Sequence, residues 1–247
     1  MKAIAIRTVV AAASAAALSV CRFDAAAQDS EWQEEFGISK CNLQTSGRNE
    51  YFVLEPGYQT LLEGPGTRLL VTALDETKTI DGVTTRAVEE REWKKGELFE
   101  VAKDYYAICG ETGDVLYFGE DVDYYEHGKV TRHSGSWRAE KGNRPGLVMP
   151  GKPRLNMKYY REIAPAAAMD QAEIVSLDET CLTPAGSFSN CMKIRETSPL
   201  DPTLLEYKWY APGIGLAADD TVRLVRYGPA TADGSYVQGG RQASIDP

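Results

Sequence analysis

The sequence predicts an all-β protein, a single antiparallel meander curled into a barrel, half-barrel or sandwich and organised as two duplicated halves. Three observations predict it. From Tyr51 onward, short apolar, β-branched and aromatic runs are separated by turn dipeptides, the pattern of hairpin-connected strands. Only one segment, IAPAAAMDQAE at residues 163–173, is alanine-rich enough after the leader to expect a short helix. The tetrapeptide LDET occurs twice, at Leu74–Thr77 and Leu177–Thr180, 103 residues apart.

Residues 1–27 read as a signal peptide. Lys2 and Arg7 precede an apolar run from Thr8 to Val20, and Ala25 and Ala27 supply the small-residue pattern of a cleavage site. A lipoprotein signal acylated at Cys21 is the alternative, with Val20 standing where a small residue is expected. The run is shorter than the roughly 20 residues that span a bilayer. A secreted or periplasmic protein without an integral membrane segment is therefore expected. Residues 28–40 are polar, with room for one helical turn at most. Pro56-Gly57 then breaks two apolar runs, and Asp81-Gly82 between β-branched residues is a strong hairpin signal. Lys94-Lys95-Gly96 turns the chain again, Gly110 and Gly113 bracket the next turn, and His127-Gly128 marks a hairpin tip. Residues 140–157, rich in proline and glycine, form a long irregular connection before the second LDET hairpin and the final strands. The expected organisation is one β domain over 28–228, with pseudo-repeats at about 51–139 and 150–228, and a disordered small-residue tail over 229–247.

A repeated tetrapeptide signals duplication only when its surroundings repeat in order. Thr77 precedes Tyr106 of YYA by 29 residues, and Thr180 precedes Tyr210 of WYA by 30. Each LDET also leads into a hairpin with a charged return strand, RAVEERE or MKIRETS.

Without Lys2, Arg7, Arg22 and Asp24 the remaining 220 residues carry 24 basic and 35 acidic side chains, a net charge of −11. Such a surface repels nucleic acid and anionic lipid headgroups. Four cysteines remain in that portion: Cys41, Cys109, Cys181 and Cys191. An even number in an oxidising compartment favours two disulfides, out of three possible connectivities. Cys181 and Cys191 flank the turn Pro184–Gly186 symmetrically, so a simple hairpin places them opposite each other and leaves Cys41 for Cys109. Zinc thiolates are the alternative, which the lack of a CxxC spacing disfavours.

The segment TCLTPAGSFSNCMKIRE, with CNLQTSGRN, YFVLEPGY, YFGEDVD and KWYAPGIGL, resembles a family of uncharacterised exported bacterial β-proteins. In that family a Pro-Ala-Gly-Ser/Thr-Phe hairpin recurs. The resemblance implies a curved sheet akin to lipoprotein-carrier half-barrels and no established activity.

Aromatic doublets Tyr105-Tyr106, Tyr124-Tyr125, Tyr159-Tyr160 and Trp209-Tyr210 put one ring on each face of a sheet. With Trp137 they are the expected ligand-binding set, lining a cavity or a sugar-stacking platform where they do not simply cover the core. Acidic residues cluster on neighbouring strands, and Glu120, Asp121 and Asp123 are the expected ligands of any Ca²⁺, although their spacing is not that of an EF-hand. Solvated edge charges that resist strand-to-strand association explain the same clusters. No GxSxG or HExxH motif is present, and His127 and His133 are the only imidazoles. Glu162 and Asp170 flank the alanine-rich segment and can act as acid or base only if that segment lines a cleft. The functional expectation is an exported protein that binds an apolar or amphipathic small molecule on a curved sheet. The alternatives are a metal-assisted or carbohydrate-active hydrolase using the acidic strands, or a structural envelope component.

Overall fold

The computed structural model describes residues 31–230 and, in the tail, the strand residues 236–238 and 241–243, which pair as an antiparallel hairpin. The expected signal segment 1–27 lies outside these residues, as does the rest of the tail. Eleven strands form the body of one antiparallel sheet. The first five are β1 (Tyr58–Gly64), β2 (Thr67–Ile80), β3 (Val83–Lys94), β4 (Glu97–Cys109) and β5 (Val115–Glu126). After the irregular connection come β6 (Lys158–Tyr160), β7 (Gln171–Thr183), β8 (Gly186–Thr197), β9 (Glu206–Ala211), β10 (Gly215–Asp219) and β11 (Val222–Pro229). The spatial order is β5-β4-β3-β2-β1-β11-β10-β9-β8-β7-β6, so two meanders are joined through β1 and β11.

Local chemistry sets the hairpins. Asp81-Gly82, Lys95-Gly96 and His127-Gly128 each hold two successive positive φ angles, 46° and 77°, 52° and 84°, and 51° and 74°. That is the backbone of a type I′ turn, whose twist matches the strands it joins. Both LDET segments interrupt their ladders in the same way. Ala73 pairs with Val88 but Thr77 with Arg86, and Ile174 pairs with Ile194 but Glu179 with Cys191. Each LDET thus inserts extra residues into the first strand of a long hairpin, bending it. At the first, Arg86 donates to the Leu74 carbonyl at 3.2 Å and to Asp75 at 3.1 Å.

The curved sheet stops short of a closed barrel. The short strand Gly146–Met149 adds to β5, and its Gly146 approaches the chain just beyond β6 so closely that a Cβ there would lie 2.0 Å from the Arg161 carbonyl oxygen. The Arg144 N–H donates to the Ile163 carbonyl at 2.9 Å across the same seam. Irregular backbone therefore brings the two sheet ends together where strand pairing does not. Behind it, Phe118, Tyr159, Ile174, Met192 and Ile194 from both meanders share one core. The N-terminal segment packs at one end: Leu54 is fully buried, Phe52 stands edge-on to Tyr106 at 5.5 Å, and the Tyr51 hydroxyl donates to the Asn190 carbonyl at 3.0 Å.

Two local expectations change. Residues 163–173 form no helix, because Ala164 and Ala168 bridge in a tight turn and the strand resumes at Gln171. Among the described residues the helical element is the 3₁₀ turn Ile38–Lys40. Both expected disulfides are present, Cys41–Cys109 and Cys181–Cys191, with Cα separations of 5.1 and 6.1 Å. Cys181 and Cys191 are not opposite each other, however. Thr183 pairs with Gly186 across a two-residue turn, which sets Cys181 against Phe188. A shift at Asn190 (φ 56°) then places Cys191 against Glu179, so the bridge runs diagonally between the strands.

Loop closure predicts unequal disulfide contributions. Removing Cys41–Cys109, which spans 68 residues, costs about 4 kcal/mol, and removing Cys181–Cys191, which spans 10, costs about 3 kcal/mol. Urea unfolding of the two double Cys→Ser variants under non-reducing conditions checks the order.

Candidate functional site

Strand alternation assigns the side chains of the concave face. Across β3, β4 and β5 the pairing sets Val88, Asp104 and Glu120 in one row. Glu90, Ala102 and Val122 form the next, and Glu92, Glu100 and Tyr124 the third. On the other meander Glu196 of β8 pairs with Glu206 of β9, and Lys208 with Asp219 of β10. All these residues except Val88 line one cavity of about 720 Å³. Glu162 and Asp170 of the turn before β7 line it too, so that segment does face a cleft. Lys94, Arg161 and Lys208 are its cations.

Beneath it lies a second, smaller chamber of about 70 Å³ bounded mainly by apolar and aromatic groups, among them Phe52, Val71, Val88, Tyr210 and Leu216. Glu90, Tyr106 and Arg161 line both spaces and form the partition between them. At the outer mouth stand Leu200 and Leu204, with Leu200 half exposed at 52%.

Two of the cations are committed to buried partners. Arg161 donates to Glu196, and Lys208 Nζ lies 2.9 Å from Glu196 and 3.9 Å from Asp219. Burial opposes ionisation of Glu196, yet Arg161 and Lys208 together hold it below the usual carboxylate range. Lys94 lies 3.1 Å from Glu92, but for Glu90, Glu120 and Glu162 burial prevails. Burial, and then Asp104, push Glu90 up to about 8. Burial, and then Glu162 and Asp104, push Glu120 to about 10. Glu162 rises to about 8 through burial and Asp170. Asp104 rises only to about 6, because burial is countered by the Tyr117 hydroxyl, which donates to it at 2.6 Å. Burial therefore favours the protonated forms of Glu90, Glu120 and Glu162, groups that a nearby cation would shift toward ionisation.

The aromatic doublets divide between the faces as alternation requires, and only part of the expected set reaches the cavity. Tyr106 and Tyr124 line the large chamber and Tyr210 the small one. Tyr105 faces away, its hydroxyl donating to Asp121 at 2.8 Å and its ring flanked by Lys78 and Arg138. Tyr125 lies on that outer side by alternation. Trp209 is covered by Lys193 at 4.9 Å and Arg223 at 5.7 Å. Tyr160 stands beside Trp32 at 6.2 Å. Tyr159 is fully buried in the core, and Trp137 is buried edge-on to Tyr117 at 5.4 Å. These six contribute structure around the cavity and do not line it.

The expected calcium ligands do not form one set. Glu120 points into the cavity, whereas Asp121 accepts from Tyr105, Arg138 and Lys78 outside, and Asp123 pairs with His133 Nδ1 at 2.7 Å. One-residue steps along a strand reverse the face, so neighbouring carboxylates in sequence diverge in space. Arg161, Glu196, Glu206, Lys208 and Asp219 escape the sequence reading. Glu206 and Lys208 do occupy alternate positions of one strand, a signal that they share a face.

The charge arrangement has two consequences for stability. A carboxyl whose folded pKa is raised stabilises fully below its unfolded pKa and loses that contribution as pH rises through the folded one. Thermal stability is therefore expected to fall from pH 5 to pH 8, and Glu120→Gln raises the melting temperature at pH 8 with little change at pH 5. Glu196→Ala, which strips Arg161 and Lys208 of their shared carboxylate, lowers stability by about 3–5 kcal/mol. Chemical denaturation of that variant checks the figure.

Comparison with protein-family models and with curated proteins finds no match. Among solved structures, a candidate lipoprotein from Parabacteroides distasonis aligns over 74% of this chain and 100% of its own, at 14% identity and a TM-score of 0.37.

Proposed function

We propose that the protein is a binding protein of the cell exterior that holds a small amphipathic cation inside its curved sheet. The observation that carries this reading is the joining of two unlike spaces at one partition. A carboxyl-lined chamber of about 720 Å³ shares the wall formed by Glu90, Tyr106 and Arg161 with an apolar chamber of about 70 Å³. A ligand with a short apolar group and an ammonium group satisfies both. The apolar group displaces water from Val71, Val88 and Leu216, and the ammonium meets carboxyls such as Glu120 and Glu162, whose burial no ion pair offsets. The leucines at the mouth extend the apolar character to the entrance.

The two disulfides and the expected leader support a secreted or periplasmic location. A wholly apolar ligand fits less well, because it would strand the carboxyls of the larger chamber in a dry site. Sugar chemistry is disfavoured by the tryptophans: Trp93, Trp137 and Trp209 do not line the cavity, so no indole platform stands beside its carboxyls. Among the described residues no three carboxylates lie within coordinating reach of one another, which gives a metal-assisted hydrolase no centre.

A cationic ligand must draw protons off Glu90, Glu120 and Glu162 as it binds, because its charge lowers their raised pKa values. Binding that releases protons strengthens as pH rises. Titration calorimetry of the mature protein with isopentylamine and with isopentanol tests this. The amine is expected to bind about 10-fold or more tightly than the alcohol. Its affinity should also increase from pH 5 to pH 8, with a heat that depends on buffer ionisation enthalpy. Equal binding of the two, or affinity unchanged with pH, refutes the reading.

A further inference from the structure

The wall of the site changes character twice between its deepest point and its entrance. The smaller chamber is bounded by apolar groups such as Val71, Val88 and Leu216. Above the partition comes the belt of carboxyls, and at the outer mouth Leu200 and Leu204 return the wall to an apolar one. A single exposed leucine calls for no explanation. These two, however, stand on one loop at the entrance to a buried acidic interior, where Leu200 keeps 52% of its surface in solvent.

The sheet determines where that loop lies. It connects β8 to β9, and the ladder pair nearest to it sets Glu196 against Glu206. Leu200 follows Glu196 by four residues, and Leu204 precedes Lys208 by four. Four residues of extended chain reach about 14 Å at most, so each leucine stays within that distance, Cα to Cα, of one member of the Glu196–Lys208 ion pair. The loop is also closed by its own bonds. Asp201 Oδ1 accepts from the Thr203 N–H at 2.9 Å and from the Thr203 hydroxyl at 2.7 Å. The Leu204 N–H donates to the Asp201 carbonyl at 3.0 Å, and the Leu200 N–H to the Ser198 hydroxyl at 3.4 Å. Pro199 and Pro202 fix two further φ angles. The leucines are thus presented by a loop already shaped, which lowers the ordering cost of any contact made to them.

A ligand with one short arm and a terminal ammonium leaves this end of the site unused. Its arm suits the chamber of about 70 Å³, but the space of about 720 Å³ above is that of a drug-sized molecule. We propose that the ligand is a secondary ammonium with an alkyl arm on each side of its nitrogen, a short branched arm in the smaller chamber and a second arm that runs through the larger one to Leu200 and Leu204. The nitrogen then lies in the carboxyl belt, and its two N–H groups have carboxyl oxygens as acceptors. The second arm covers leucine surface that is otherwise wet and takes its own methylenes out of water. This inference rests on the cationic reading of the cavity and adds to it the position of the charge within the ligand.

N-butylisopentylamine and nonylamine are isomers that differ in whether the nitrogen is internal or terminal, so together they test that position at constant composition. In titration calorimetry of the mature protein at pH 8, the internal amine is expected to bind about 10-fold or more tightly than nonylamine. In the double variant Leu200→Ser, Leu204→Ser that ratio is expected to fall below about 3-fold. Both positions lie in a surface loop outside the buried core, and a melting temperature close to that of the natural chain confirms that the variant is folded. Should the double variant lose stability, Leu200→Ser alone gives the same comparison. Equal binding of the two isomers, or a ratio unchanged by the serines, overturns this inference and leaves the preference for isopentylamine over isopentanol, and with it the cationic reading, in place. Failure of all three amines to bind overturns both.

Discussion

Alternation of side chains along strands that curve around a common interior is the constraint on which the rest of this structure depends. A strand offers every second residue to the concave side, and a register fixed by tight turns passes that choice to its neighbour. The I′ turns at Asp81-Gly82 and Lys95-Gly96 fix how β2, β3 and β4 face one another. Once Glu90 points inward, Glu92, Glu100 and Asp104 must follow, since they share its face through pairing and period. The acidic interior is thus a collective property of register.

Such an interior is tolerable only because its charges are not all treated alike. Where two cations were available, around Glu196, the fold built a compact ion cluster from Arg161 and Lys208, with Asp219 at its edge. Elsewhere Glu92 pairs with Lys94, Asp104 accepts from the Tyr117 phenol, and burial favours the protonated forms of Glu90, Glu120 and Glu162. Burying these carboxyls costs folding stability and leaves their ionisation sensitive to nearby charge. The outer face follows the opposite rule. There Asp121, Asp123, Glu76 and Glu89 each meet a cation or histidine at the surface, and aromatic rings lie under lysine or arginine heads.

Much of the architecture was legible because it is encoded locally. Positive-φ turn residues, β-branched runs and the LDET pair each act within a few residues, and the structure places hairpins and matching bulges there. The disulfide partners were also readable, although the diagonal geometry of Cys181–Cys191 depended on a shift at Asn190 that no spacing rule foresees. The site itself was hidden for a physical reason. A carboxylate on a strand looks the same whether it faces solvent or a curved interior. Which one applies depends on the union of β1 with β11, between residues far apart in the chain. Arg161 lies in irregular backbone, where no periodicity exists to reveal it, and Glu162 beside it was legible only through its place flanking the alanine-rich segment. The alanine-rich segment misled because helix propensity yielded to a turn fixed by the Ala164–Ala168 bridge.

The seam between β1 and β11 also governs how the molecule comes into being. Tyr58 is aligned with Pro229, and Glu63 with Arg223, so β1 finds its second neighbour only when β11 has emerged. A chain folding from its N-terminal end can zip the first meander as nearest-neighbour hairpins. One flank of β1 stays bare until nearly the whole polypeptide has passed. Loop-closure entropy makes this the slow event. The interval before it is when an unpaired edge is open to a chaperone or to another copy of the chain.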